Sequence, residues 1–129
     1  MSNLVSKEKT KSSKPNITSR LNKFLTEFAK EKSIINKFTS NGVWLVGKGS
    51  KSKLNYSGLL VNSGAQDVYA VISYGNNDTW KDVKYYHMDK IDDKTFEVLL
   101  PYNEKQTLNV CFKDSINNWD NNSGRNYSF

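Results

Sequence analysis

The chain has one cysteine, one histidine and two prolines in 129 residues. Cys111 alone closes no intramolecular disulfide, and its place in the strand-like run "TLNVCFK" reads as a packed thiol rather than a nucleophile. With His87 as the only histidine, a histidine-based triad or a multi-histidine metal site lacks its groups unless a second chain lends them. No apolar run approaches the roughly 20 residues of a membrane helix. The opening "MSNLVSKEKTKSSKPN" lacks the apolar h-region of a secretory signal, so a cytoplasmic location is the expectation. Asn16, Asn55, Asn77, Asn121 and Asn126 each head an Asn-x-Ser/Thr sequence, which matters only in a secretory pathway.

Other absences narrow the chemistry further. There is no GK[ST] phosphate loop, no GxGxxG after a strand and no CxxC pair. Asp120, Asn122 and Gly124 alternate as in a calcium loop, but Arg125 stands where the obligatory glycine belongs and no glutamate closes the twelfth position. No metal and no cofactor is therefore expected. The carboxylates of "DKIDDK" are explained by turn geometry and solvation. Two carboxylates can converge from anywhere in a fold, but nothing in the sequence points to a catalytic pair, and the expectation is a protein that is not an enzyme.

Positive charge is plentiful overall, at a net +6, but unevenly placed. Residues 1–53 hold 12 Lys/Arg and 3 Asp/Glu, or +9, whereas residues 54–129 hold 7 and 10, or −3. A phosphate-gripping domain needs cations on its folded surface, so nucleic acid is a secondary reading based on the tail alone.

Three segments follow from composition. Residues 1–16 are Lys/Ser/Thr-rich and read as a disordered basic tail. Within 17–52, Leu21, Phe24, Leu25, Phe28 and Ile35 approximate the i, i+3, i+4, i+7 stripe of an amphipathic helix over 17–38, followed by a linker that tucks Trp44 against something. Such a helix would pack in cis, pair with a second copy or dock a protein partner. Residues 53–129 break into short β-branched and aromatic runs separated by turn clusters. "TFEVLL" and "TLNVCF" alternate with period two, while "DVYAVISY" is more continuously apolar, as in a central strand. About six or seven strands at this spacing predict a mainly β fold, an antiparallel immunoglobulin-like β-sandwich preceded by the helix.

What remains is a set of aromatics in polar surroundings: Tyr74 and Trp80 in "SYGNNDTW", and Trp119 in "NNWDNNSGRNY". An indole in a solvated turn offers a flat apolar face suited to the C–H face of a pyranose, and neighbouring amides suit its hydroxyls. A buried turn tryptophan is the alternative reading of Trp119.

The run "VYAVISYGNNDTWKDVKYYHM…FEVLLP…LNVCFKDSINNWDNNSGRNY" resembles family 25 carbohydrate-binding modules, which bind starch, with family 53 a close alternative. Its end is more distantly similar to the W-D-N-N-x-G-x-N-Y ending of family 21 modules of glycogen-targeting phosphatase subunits. The resemblance covers about residues 53–129 and implies non-catalytic binding of an α-1,4-glucan. By position it makes Trp80 and Trp119 the stacking platform, and Asp120, Asn121 and Asn122 the residues that contact hydroxyls or position the loop, with Tyr74 as an added aromatic face. Val71 stands where such modules often carry a histidine. The implied partner is an intracellular storage glucan such as glycogen. Self-association, or recruitment of an enzyme, would pass through the N-terminal segment.

Overall fold

β-Branched and aromatic residues start to pair in strands well before residue 53. The computed structural model describes residues 33–48, 50–102 and 105–129. In chain order these form β1 (Ser33–Phe38), β2 (Val43–Lys48), β3 (Lys51–Tyr56) and a single helical turn α1 (Leu59–Asn62). There follow β4 (Val68–Tyr74), β5 (Lys84–His87), β6 (Asp89–Lys90), β7 (Phe96–Pro101), β8 (Leu108–Asp114), β9 (Trp119–Asp120) and β10 (Tyr127–Ser128). The compact unit runs from Ile34 to Phe129.

Two sheets result. One has the order β1-β2-β3-β7-β6; the other has β10-β8-β4-β5, with β9 also pairing β8. The β2–β3, β3–β7 and β6–β7 pairs are antiparallel, as are the pairs of β4 and β8 with their neighbours. Period-two alternation turns one side of each strand inward. Val43, Leu45, Leu54, Tyr56, Phe96 and Leu100 of the first sheet share one core with Val68, Ala70, Ile72, Leu108, Val110 and Phe112 of the second. Tyr56 stacks on Phe112 across that core at 4.0 Å between ring centroids. The fold is therefore mainly β, two antiparallel sheets around one core, as a β-sandwich requires.

The chain changes sheets between β5 and β6 at Met88, which is buried and whose N–H donates to Val68 O. A strand that switches sheets in this way closes one side of the sandwich.

Two segments differ from the sequence reading. The run "SIINKF" at the end of the expected helix 17–38 is β1; the earlier part of that helix and the tail 1–16 lie outside the described residues. The linker expected up to residue 52 contains β2 and the start of β3, with Val43 and Leu45 in the core. Alternation in "VWLVGK" explains this: its inward residues complete a core that the following strands leave open on one edge. Trp44, on the opposite side of β2, is only half-buried.

Candidate functional site

The outer face of the second sheet is set by the same alternation that builds the core. Val68, Ala70 and Ile72 of β4 point inward, leaving Tyr69, Val71 and Ser73 outward; in β8, Asn109, Cys111 and Lys113 are outward. Strand β5 brings Tyr85 opposite Val71 and His87 opposite Tyr69. Strand β9 brings Trp119 opposite Lys113 and Asp120 opposite Phe112. Neighbours in the "WD" pair thus go opposite ways. Trp119 is 44% exposed on the outer face, and Asp120 is 5% exposed, in the core.

Across four strands Trp119, Lys113, Tyr69 and His87 form one row. The Lys113 ammonium lies 5.8 Å from the Trp119 ring centre and 5.4 Å from that of Tyr69. Tyr69 stacks on the His87 ring at 4.8 Å, and His87 Nε2 lies 3.1 Å from Asp67 Oδ1. The result is a surface of flat apolar faces interrupted by a cation and ended by a polar ring.

Beneath this surface Asp120 ties the sheets together. Its Oδ2 accepts from the Tyr56 hydroxyl at 2.7 Å and its Oδ1 from the Tyr127 hydroxyl at 2.8 Å, while Tyr56 Oη also accepts from Leu60 N–H at 3.0 Å. Burial, together with the adjacent carboxylate, raises both phenols well above their ordinary range, so both remain donors. Asn122 N–H adds a longer bond to Oδ1 at 3.3 Å. With its oxygens engaged in this way, Asp120 positions the loop from inside.

The loop 121–126 is held by its own amides. Asn121 Oδ1 accepts from Gly124 N–H at 2.9 Å, and Asn122 Nδ2 donates to Asn126 O at 2.9 Å. From the β4–β5 connection, Asn77 Nδ2 donates to Arg125 O, and Asn77 Oδ1 accepts from both Asn126 Nδ2 and the Trp80 indole N–H at 3.0 Å. Asn77 therefore joins the Trp80 loop to the terminal loop. Lys81 N–H donates to the outward Ser73 hydroxyl and Lys81 O accepts from it, so the backbone next to the half-buried Trp80 crosses the outer side of the sheet, the side on which Trp119 is exposed.

Of the residues singled out in the sequence, Trp80, Trp119, Asn121 and Asn122 thus come to one face and the loop that borders it. Ser73, which holds the Lys81 backbone next to Trp80, pairs with Asn109, whereas Trp119 pairs with Lys113, so these two attachment points lie about 13 Å apart along β8 at ~3.3 Å per residue. Tyr74 falls on the other side: it follows Ile72 inward, and its hydroxyl donates to Pro101 O of the first sheet. Val71 is buried on the outer face. Tyr69, His87, Lys113 and Asn77 were not singled out as part of this face. The continuously apolar "VYAVISY" gives no outward side, and only strand register puts Tyr69, His87 and Lys113 beside one another.

Charge on the compact unit is nearly balanced, with 11 Lys/Arg and 10 Asp/Glu over residues 34–129. Among the described residues no group of three His, Cys, Asp or Glu is placed to hold a metal ion, and no helix is long and apolar enough to cross a membrane. The expected partner-binding helix 17–38 lies, up to residue 32, outside the described residues. Fold and face together define a two-sheet β protein with an aromatic outer surface bordered by amides. Compared with protein-family models, curated proteins and solved structures, the chain matches none.

Proposed function

We propose that this unit is a non-catalytic module of immunoglobulin-like topology that binds an α-1,4-glucan of glycogen or starch type on the outer face of the second sheet. The observation that carries the reading is Trp119: a large indole, 44% exposed, heading a row of rings on the face that the Trp80 loop crosses. Single exposed apolar side chains are ordinary, whereas a contiguous group of rings marks a surface that meets a ligand, and indoles with adjacent amides suit the two sides of a sugar. Trp119 and Trp80 stack on glucose rings, exposed Asn121 reaches hydroxyls, and Asp120 and Asn122 hold the loop in place. His87, paired with Asp67, offers the polar ring that Val71 cannot. Near-neutral charge on the unit favours a neutral polymer over a nucleic acid, which would need unpaired cations along its backbone.

Native electrophoresis of the full chain through gels with and without glycogen tests this. The wild type is retarded, and Trp119→Ala weakens retardation about tenfold or more, as for an aromatic anchor worth ~2 kcal/mol. Trp80→Ala, checked for folding by circular dichroism, does the same. A wild type that migrates unchanged by glycogen would remove the reading.

A further inference from the structure

A cleft of about 620 Å³ opens at the end of the sandwich where β1 turns into β2, α1 begins and the loop after β9 leaves the core. That volume lies within the ~300–1,000 Å³ typical of small-molecule sites. Trp44, Asn41, Asn62, Asn122 and Ser123 are among the residues that line it. The amide of Asn62, the amide nitrogen of Asn41, the amide oxygen of Asn122 and the Ser123 hydroxyl make no hydrogen bond among the described residues. Among the described residues the carboxylate that lines it is Asp120, which is occupied by the Tyr56 and Tyr127 hydroxyls. Asn122 and Ser123 have φ of 57° and 56°, a left-handed conformation disfavoured for Ser, and such local strain persists where the surrounding structure imposes it, often at ligand sites.

We propose that this cleft is a second ligand site, taking one or two units of a neutral oligosaccharide, with Trp44 as its apolar wall and the four unpartnered polar groups as its hydroxyl contacts. The chemistry is that of an aromatic face with uncharged donors and acceptors, which selects against ions and for hydroxyl-rich molecules. The site stands apart from the outer face and does not rest on the reading of it. Asn122 and Ser123 line this cleft, while Trp119 of β9, just ahead of their loop, is exposed outside it.

The three tryptophan indole N–H signals of the isotope-labelled full chain, assigned by triple-resonance spectra and by Trp44→Phe, report each site separately. They are followed while maltotriose and then cellotriose are added to millimolar concentrations. The Trp44 signal is expected to move saturably with at least one of the sugars, and to do so again in Trp119→Ala. Movement of Trp44 alone would support the cleft and remove the outer-face reading. Movement of Trp80 and Trp119 with Trp44 unchanged would overturn the cleft and leave the outer-face reading standing. A Trp44 shift that vanishes in Trp119→Ala would overturn it as an effect relayed through the loop, and no movement of any indole with either sugar would overturn both.

Discussion

The Tyr56 and Tyr127 hydroxyls donate to Asp120 and, among the described residues, to nothing else, which makes its removal costly in a specific way. Replacing it by alanine strands the Tyr56 and Tyr127 hydroxyls in the core, at about 1–3 kcal/mol for each group left unpaired. Urea unfolding of Asp120→Ala should show that loss, and adding Tyr127→Phe to it should cost much less than Tyr127→Phe does in the wild type. Full additivity would mean that the contact contributes nothing. Asp114 acts through pH instead. Its carboxylate accepts from Asn118 Nδ2, Asn118 N–H and Ile116 N–H, and these bonds hold its pKa below the ordinary 3.8. Because the folded pKa is the depressed one, this stabilisation is complete above the ordinary carboxylate range and is lost as pH falls through the folded value. The melting temperature of the wild type should therefore fall more between neutral and strongly acidic pH than that of Asp114→Asn; equal falls would rule the turn out as a contributor.

Among the elements, the loop after β9 stores the most backbone strain. Asn122, Ser123 and Gly124 occupy the left-handed region in succession, and Asn126 returns to it at φ 60°. Asparagine and glycine tolerate this, serine less so. Ser123→Gly should stabilise the protein by up to about 1 kcal/mol in thermal or urea unfolding, since a left-handed residue costs ~1–2 kcal/mol that glycine avoids at some expense in unfolded-state entropy. A destabilised Ser123→Gly would mean that the hydroxyl has a partner that matters more than the strain. The turn between β1 and β2 works the opposite way: a Cβ on Gly42, at φ 76°, would meet Ser57 O at 2.4 Å, so glycine there is a steric necessity.

At the scale of the molecule, the boundary of the folding unit has a measurable consequence. Beginning the chain at residue 53 would delete β1 and β2, remove Val43 and Leu45 from the core at about 1.5–3 kcal/mol each, and bare the edge of β3. A chain of residues 33–129 is expected to unfold cooperatively in urea, whereas 53–129 is expected to lack a cooperative transition. Equal cooperativity in both would return the unit to the shorter boundary. The sequence boundary at 53 follows the start of repeated β-branched and aromatic runs between turn clusters, a local texture that does not report the hydrogen-bonded register by which β2 joins β3.

Period-two alternation in "TFEVLL" and "TLNVCF" determined by itself a mainly β chain and which residues of those two strands face the core, since alternation needs no knowledge of partners, whereas the continuously apolar "VYAVISY" marked a central strand without fixing its inward side. The aromatic and amide content of "NNWDNN" likewise marked the loop. Tertiary structure alone decided that Trp119 faces solvent while Asp120 faces the core, that Tyr74 turns inward, and that Tyr69, Lys113 and His87 line up beside Trp119. Each of these depends on register between strands distant in the chain, and a shift of one residue would send every side chain to the other face.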